Sequence, residues 1–138
     1  MSGWLLDTNV LSEASKLAPN PDVGDWVDTR DSQALWVSVI SLGEIRQGIE
    51  SARRRTREAW LTQELLPAFS GRILDVDREV AYTWGRMTAK RLKMGRPLPI
   101  ADGLIAAAAQ VHSLTLVTRN VEDFASHDVA IFNPWKSR

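Results

Sequence analysis

The sequence predicts an α/β protein whose parallel sheet is covered by helices on both faces. Short apolar runs alternate with helical patterns along the whole chain, and that alternation builds βαβ units. Runs such as Trp4-Leu5-Leu6, Leu35-Trp36-Val37 and Leu114-Thr115-Leu116-Val117 are nearly continuously apolar, as strands buried on both faces are. No repeat, low-complexity segment or linker interrupts the 138 residues, so one domain over 1–138 is expected.

The elements follow in order. Residues 4–7 read as the first strand, delivering Asp7 to its carboxyl end. That end faces the ligand crevice in open parallel sheets. A short helix over 8–17 is closed by Pro19 and Pro21. Asp22 to Arg30 places Val23, Trp26 and Val27 on one helical face. Leu35 to Val39 is rich in β-branched and aromatic types and reads as the second strand. Ser41 opens a helix with Leu42, Ile45 and Ile49 inward. Glu58 to Phe69 is helical, and Ile73 to Val76 is the third strand. Asp77 caps a long helix to about Lys93, striped by Val80, Trp84 and Met87. Gly95, Pro97 and Pro99 break the chain. Pro99 to His112 is apolar nearly all round and should be a buried helix. Leu114 to Val117 is the fourth strand, Val121 to Phe124 a helical turn, and Val129 to Phe132 the last strand.

Composition removes several function classes. With no cysteine there is no disulfide, thiolate metal site or thiol nucleophile. No apolar run is long enough to span a bilayer, and no signal-type segment opens the chain. A cytoplasmic protein is the expectation. Net charge is zero, so global charge does not advertise a polyanion partner. Two basic runs could touch phosphate locally, though a solvated helix face is the first reading of each: Arg53-Arg54-Arg55 with Arg57, and Lys90, Arg91, Lys93 and Arg96.

Four acids stand where a strand hands over to a helix or where a helix begins: Asp7, Glu44, Asp102 and Asp123. Each also has a purely structural role open to it. Asp7 can cap the following helix. Ser41-Leu42-Gly43-Glu44 has capping-box spacing. Asp102 suits the dipole of a first turn, and Asn120-Val121-Glu122-Asp123 can be another cap. The conjunction points further, because in a parallel sheet such junctions share one edge. Carboxylates converging there repel one another unless protonated or neutralised by a cation. Without cysteine, and with two histidines at no ligand spacing to these acids, a hard divalent ion is implied, Mg²⁺ or Mn²⁺. Gly48, one turn after Glu44, and Gly103, beside Asp102, would leave room for a bulky ligand. His112 and His127 are the acid/base candidates, His112 at a helix end and His127 in a polar turn. No GxSxG, P-loop or GxGxxG is present.

Four blocks together resemble the PIN-domain ribonucleases: Leu6-Asp7-Thr8-Asn9-Val10, Ser41-Leu42-Gly43-Glu44-Ile45, Ala101-Asp102-Gly103-Leu104-Ile105-Ala106 and Thr118-Arg119-Asn120-Val121-Glu122-Asp123-Phe124. Within them the chain is most similar to VapC toxins of the FitB-like plasmid-stability group, including the Phe132-Asn133-Pro134-Trp135 ending. The resemblance covers essentially the whole chain. It implies a three-layer α/β/α PIN domain with a central parallel sheet, a Mg²⁺ site and hydrolysis of RNA phosphodiesters. Asp7, Glu44 and Asp102 would then be metal-binding and catalytic. Asn120 and Asp123 are the two candidates for the fourth position, with Asp123 favoured for its charge. Thr8, Asn9 and Thr118 would orient carboxylates, and Asn120 would bond a metal-bound water. The resemblance also implies homodimers and a small antitoxin with a DNA-binding domain, which alone would bring promoter DNA to the pair. Trp26, Trp60 and Trp84 are candidates for those interfaces, or for the core.

The expected function is therefore a metal-dependent endoribonuclease toxin. The alternative is a catalytically weak subunit acting in promoter binding, and a third reading is an RNA-processing nuclease of the same fold.

Overall fold

The computed structural model describes residues 3–52, 55–125 and 128–136. Its five short strands are β1 Trp4–Leu6, β2 Leu35–Ser38, β3 Ile73–Leu74, β4 Thr115–Val117 and β5 Ile131–Phe132. They form one parallel sheet in the order β3-β2-β1-β4-β5. The helices are α1 Thr8–Glu13, α2 Pro21–Asp28, α3 Val39–Ala52, α4 Arg55–Trp60, α5 Leu66–Ala68, α6 Arg78–Lys93, α7 Ile100–Val111 and α8 Val121–Phe124. A π-helical stretch, Leu61–Leu65, joins α4 to α5.

Strand order explains where a site can form. From β1 the chain steps outward to β2 and β3, then crosses back over the sheet to β4 and β5. The direction reverses between β1 and β4, the topological switch point where open α/β sheets bind ligands. Asp7 leaves β1 at this point and Thr118 leaves β4 beside it. The Asp7 amide donates to Val117 O at 2.9 Å.

Side chains alternate across the sheet as the two-residue period requires. Leu6, Leu35, Val37 and Val117 face one layer, with Val10, Leu11, Val23, Trp26, Ile45, Ile49, Leu61 and Leu65. Leu5, Leu74 and Leu116 face the other, with Val80, Met87, Phe124 and the Ile105–Ala109 run of α7. Small residues along α7 let it lie close to both the sheet and α6. Trp26 is core: it stacks on Phe132 at 5.2 Å and meets Trp4 edge-on at 5.0 Å. Among the described residues no helix is long and apolar enough to cross a membrane.

Several boundaries differ from those the sequence predicts, each for a local reason. The first helix stops at Glu13 rather than residue 17, because the Glu13 carboxylate accepts from the Asn20 amide and Lys16 and draws the segment between them back. Pro21 starts α2 instead of ending the element before it. Its missing N–H is no loss at a first helical position, and Asn20 supplies the cap to Asp22 N. The edge strands β3 and β5 are two residues each, shorter than expected, since each has a neighbour on one side alone. Asp77 caps α6 through Val80 N at 2.9 Å, and that helix ends at Lys93 as its stripe predicts.

Gly103 proves to be a packing position. A Cβ built there would lie 2.9 Å from Trp84 Nε1 and 3.0 Å from Cδ1. The indole therefore fills the space where the sequence predicts room for a ligand. Gly48, by contrast, is open: a Cβ placed there would meet nothing within 4 Å. Gly103→Ala should displace Trp84 at an overpacking cost of roughly 1–3 kcal/mol, against about 1 kcal/mol of helix propensity gained. Thermal denaturation should show a melting temperature a few degrees lower, with Gly48→Ala neutral or stabilising.

Candidate active site

The carboxyl end of β1 builds the site. Asp7 is the N-cap of α1 and is almost wholly buried. Burial of a carboxylate is costly unless donors surround it, and here they do. Asp7 Oδ1 accepts from Thr8 N at 2.8 Å. Its Oδ2 accepts from Thr118 Oγ1 at 2.8 Å and from Asn9 Nδ2 at 3.4 Å. Thr118, fully buried, also receives the Asn120 amide at 3.1 Å. Asn9 Oδ1 accepts from Arg119 N at 3.3 Å. One hydrogen-bonded mesh thus ties the loop after β4 to the start of α1.

Glu44 enters from α3, but not as a capping residue. That helix begins at Val39, with Ser38 Oγ accepting from Ile40 N at 3.0 Å. Glu44 consequently lies in the second turn, and the expected Ser41–Glu44 box does not form. Instead Thr8 Oγ1 donates to Glu44 Oε1 at 2.6 Å and faces Ser41 Oγ at 2.9 Å. A threonine hydroxyl has one proton, so the carboxylate takes it and the buried Ser41 hydroxyl is the second partner. Ser41, legible in the sequence as a helix opener alone, belongs to the support of the site.

Asp102 sits in the first turn of α7, half-buried. Its carboxyl is pushed up to about 6, first by desolvation and then by the negative charges of Asp7, Glu44 and Asp123. Burial also raises Asp7, opposed by the Thr118 and Thr8 bonds and reinforced by Glu44. The fold therefore brings the other three predicted acids near enough to bear on Asp102, and Glu44 near enough to bear on Asp7. Among the described residues none of the four makes a salt bridge.

The exposed Asp123 rides on α8, a single turn. That turn is held by a residue whose place in a basic run suggests a solvated helix face or a phosphate contact, and which is neither. Arg91 is buried, and its guanidinium donates to Asp123 O at 3.2 Å, Phe124 O at 3.1 Å and Arg96 O at 3.3 Å. The signal was present: Arg91 continues the Val80–Met87 stripe at helical spacing. Of the same basic run, Lys90 pairs with Asp128 at 3.1 Å, and Arg96 reaches Glu122 O at 3.5 Å. Arg57 lies over Trp60, while Arg53 and Arg54 fall outside the described residues. His112 closes the far end of α7. Ten residues at 1.5 Å each put it about 15 Å from Asp102. His127 falls outside the described residues.

The donor set fits a hard cation in its chemistry: oxygens alone, with uncompensated charge. It is not drawn together as a cage. Among the described residues, no three acidic or histidine side chains stand closely enough to hold a metal as they lie.

The PIN domain family description matches residues 4–129. The chain belongs to the PIN-domain family. Toxin FitB of Neisseria gonorrhoeae is 38% identical to it, over 95% of this chain and 97% of that protein. VapC ribonuclease Y4jK of Sinorhizobium fredii is 34% identical, over 96% and 97%. A chain of the solved structure "Structure of FitAB bound to IR36 DNA fragment" superposes with a TM-score of 0.88 at 36% identity, covering 98% of this chain and 97% of that one.

The raised acids set a pH dependence. A group whose folded pKa is raised binds more protons folded than unfolded, so stability falls as pH rises through the interval between the two values. Without divalent ions, Asp102 should lower the stability of the protein between pH about 4 and about 6. Asp102→Asn should flatten that limb and raise the melting temperature at pH 7 but not at pH 4. Mg²⁺ should raise the wild-type melting temperature at pH 7 by linkage. A lower melting temperature for Asp102→Asn at pH 7 would mark the residue as structural.

Proposed function

We propose that this chain is a metal-dependent endoribonuclease and the toxin of a type II toxin–antitoxin pair. The observation that carries the proposal is the gathering of Asp7, Glu44 and Asp123 around Asp102 at the switch point, with no salt bridge to any of the four among the described residues. The names of the relatives, a toxin and a VapC ribonuclease, support it.

Asp7, Glu44, Asp102 and Asp123 would hold Mg²⁺ or Mn²⁺. When bound, the ion lowers the pKa of a water and neutralises charge on a phosphoryl oxygen. The chain's own residues set the stage. Thr118 and Thr8 N hold Asp7 so that its carboxylate cannot rotate. Thr8 Oγ1 fixes Glu44. Burial first, and the neighbouring acids after it, push the Asp102 carboxyl up to about 6, so its charge is available above about pH 6. Asn120, with no capping bond of its own side chain, is free to orient a water at the exposed margin. With His112 at the opposite end of α7, the attacking oxygen comes from solvent rather than from the ribose 2′-hydroxyl, a route that needs paired acid/base groups.

The toxin would be cytoplasmic, and a small antitoxin would cover its acids, with an Arg satisfying them bidentately. The complex would reach promoter DNA through the antitoxin's own domain, and the toxin would pair as a homodimer. Similarity to a chain of a DNA-bound FitAB structure supports this assembly.

Asp7→Asn, Glu44→Gln and Asp102→Asn should each reduce RNA cleavage by about 10²-fold or more while circular dichroism stays native. EDTA should abolish cleavage and Mg²⁺ restore it. Wild-type rates in any two variants would show that the chemistry lies elsewhere. End-group analysis should find 5′-phosphate and 3′-hydroxyl products, and His112→Ala should keep most of the activity. A 2′,3′-cyclic phosphate would point to the ribose route.

A further inference from the structure

Beside Asp123 lies a cleft of about 520 Å³, lined by Arg119, Asn120, Val121, Glu122, Asp123, Asn133 and Trp135. Its volume falls in the range of about 300–1,000 Å³ that admits a small-molecule-sized ligand. We propose that this cleft is a nucleotide subsite, taking one unpaired residue of a single-stranded RNA next to the bond that is cut. The proposal rests on the ribonuclease reading above and adds to it where the substrate is gripped.

The lining has the chemistry of such a subsite. The Arg119 guanidinium lies over the Trp135 indole, 5.2 Å from the ring centroid. Unpaired bases stack on aromatic rings and on arginine planes alike, and a guanidinium also meets phosphate. Arg119 is the one cation in the lining, and its side chain is exposed. Trp135 is half-buried, with part of its ring against the core. The chain around it is set by its own amide, which donates to Asn133 Oδ1 at 2.9 Å. That bond occupies the carboxamide oxygen of Asn133. Its Nδ2 has no partner among the described residues and is left to donate. Asn120 adds a second carboxamide with no capping bond. Two carboxamides at the rim of a stacking surface can read the edge of a base.

Position supports the assignment as much as composition. Arg119 follows Thr118, which donates to Asp7, and the Arg119 amide is itself held by Asn9. Asp123 belongs to both the cleft and the group of acids around Asp102. A nucleotide seated against Arg119 and Trp135 is thus in register with the carboxylates through one braced loop, residues 118–123. Glu122 and Asp123 oppose the several carboxylates of an acidic peptide, whereas a nucleotide has one phosphate for Arg119 to meet and a neutral base for the carboxamides and the ring.

The test has a kinetic arm and a binding arm. In the first, Arg119→Gln should raise KM for single-stranded RNA roughly 10-fold, within the range for losing one stacked base, with a smaller change in kcat. Arg119→Lys should recover part of that loss through its charge. Asn133→Ala should relax the base preference at one position beside the cut in the mapped cleavage sites. In the second arm, Asp7→Asn protein is titrated with a fluorescein-labelled single-stranded RNA, and adding Arg119→Gln should weaken binding by a similar factor. Unchanged KM and cleavage pattern, with wild-type cleavage intact, would overturn the subsite and leave the nuclease reading standing. Should the wild type not cleave RNA, the nuclease reading falls and the binding arm alone decides the subsite. Unchanged RNA binding together with lost inhibition by the protein partner would assign the cleft to that partner and overturn the proposal.

Discussion

Everything in this structure turns on one electrostatic constraint: a carboxylate buried at the end of the central strand. Asp7 is almost fully removed from water. A buried charge of that kind persists only when hydrogen-bond donors replace its hydration. Thr8 N, Thr118 Oγ1 and Asn9 Nδ2 supply them, and each donor comes from a segment that must be placed to within a few tenths of an ångström. Meeting that need aligns the start of α1 with the loop after β4. It also presents Thr8 to Glu44 on α3.

Satisfying Asp7 does not satisfy its neighbours. Asp102 carries the repulsion of the other three acids and is raised for that reason as well as for its burial. The scaffold holds these acids near Asp102 although their charges oppose its ionisation, and a clamp braces α8. The clamp is Arg91, whose guanidinium satisfies carbonyls at the end of a helix too short to be stable alone. Under the proposed function this opposition is useful, because a cation entering the cluster relieves the repulsion and is bound the more tightly for it.

The structure also divides the basic residues by task. Arg91 and Arg72 are buried on backbone carbonyls, Arg72 with those of Ser32 and Leu35 at 2.6 Å and with that of Ala68. They serve the fold. Arg119 and Arg96 stay at the surface beside α8. A count of charges does not separate these groups, since a guanidinium caps carbonyls and grips phosphates with the same donors.

Short-range patterns carried the parts of this protein that depend on neighbours in the chain. The alternation of apolar runs with helical stripes predicts the parallel α/β sheet. Asp77 and the Val80–Met87 spacing predict α6 to its last residue, and Asp7, Asp102 and Asp123 stand at element boundaries as read, with Glu44 a turn further into its helix. Tertiary structure alone decided the pairings between distant segments. It moved the start of α3 to Val39 and gave Glu44 to Thr8, thirty-six residues away. It turned Arg91 inward, and it set Trp84 against Gly103 in the space that a small residue beside Asp102 would otherwise open to a ligand. The physical reason is the same in each case. Local preference follows from residues within a few positions, whereas the partner of a side chain follows from strand order, which places β4 beside β1 and so brings residues 118–123 to Asp7.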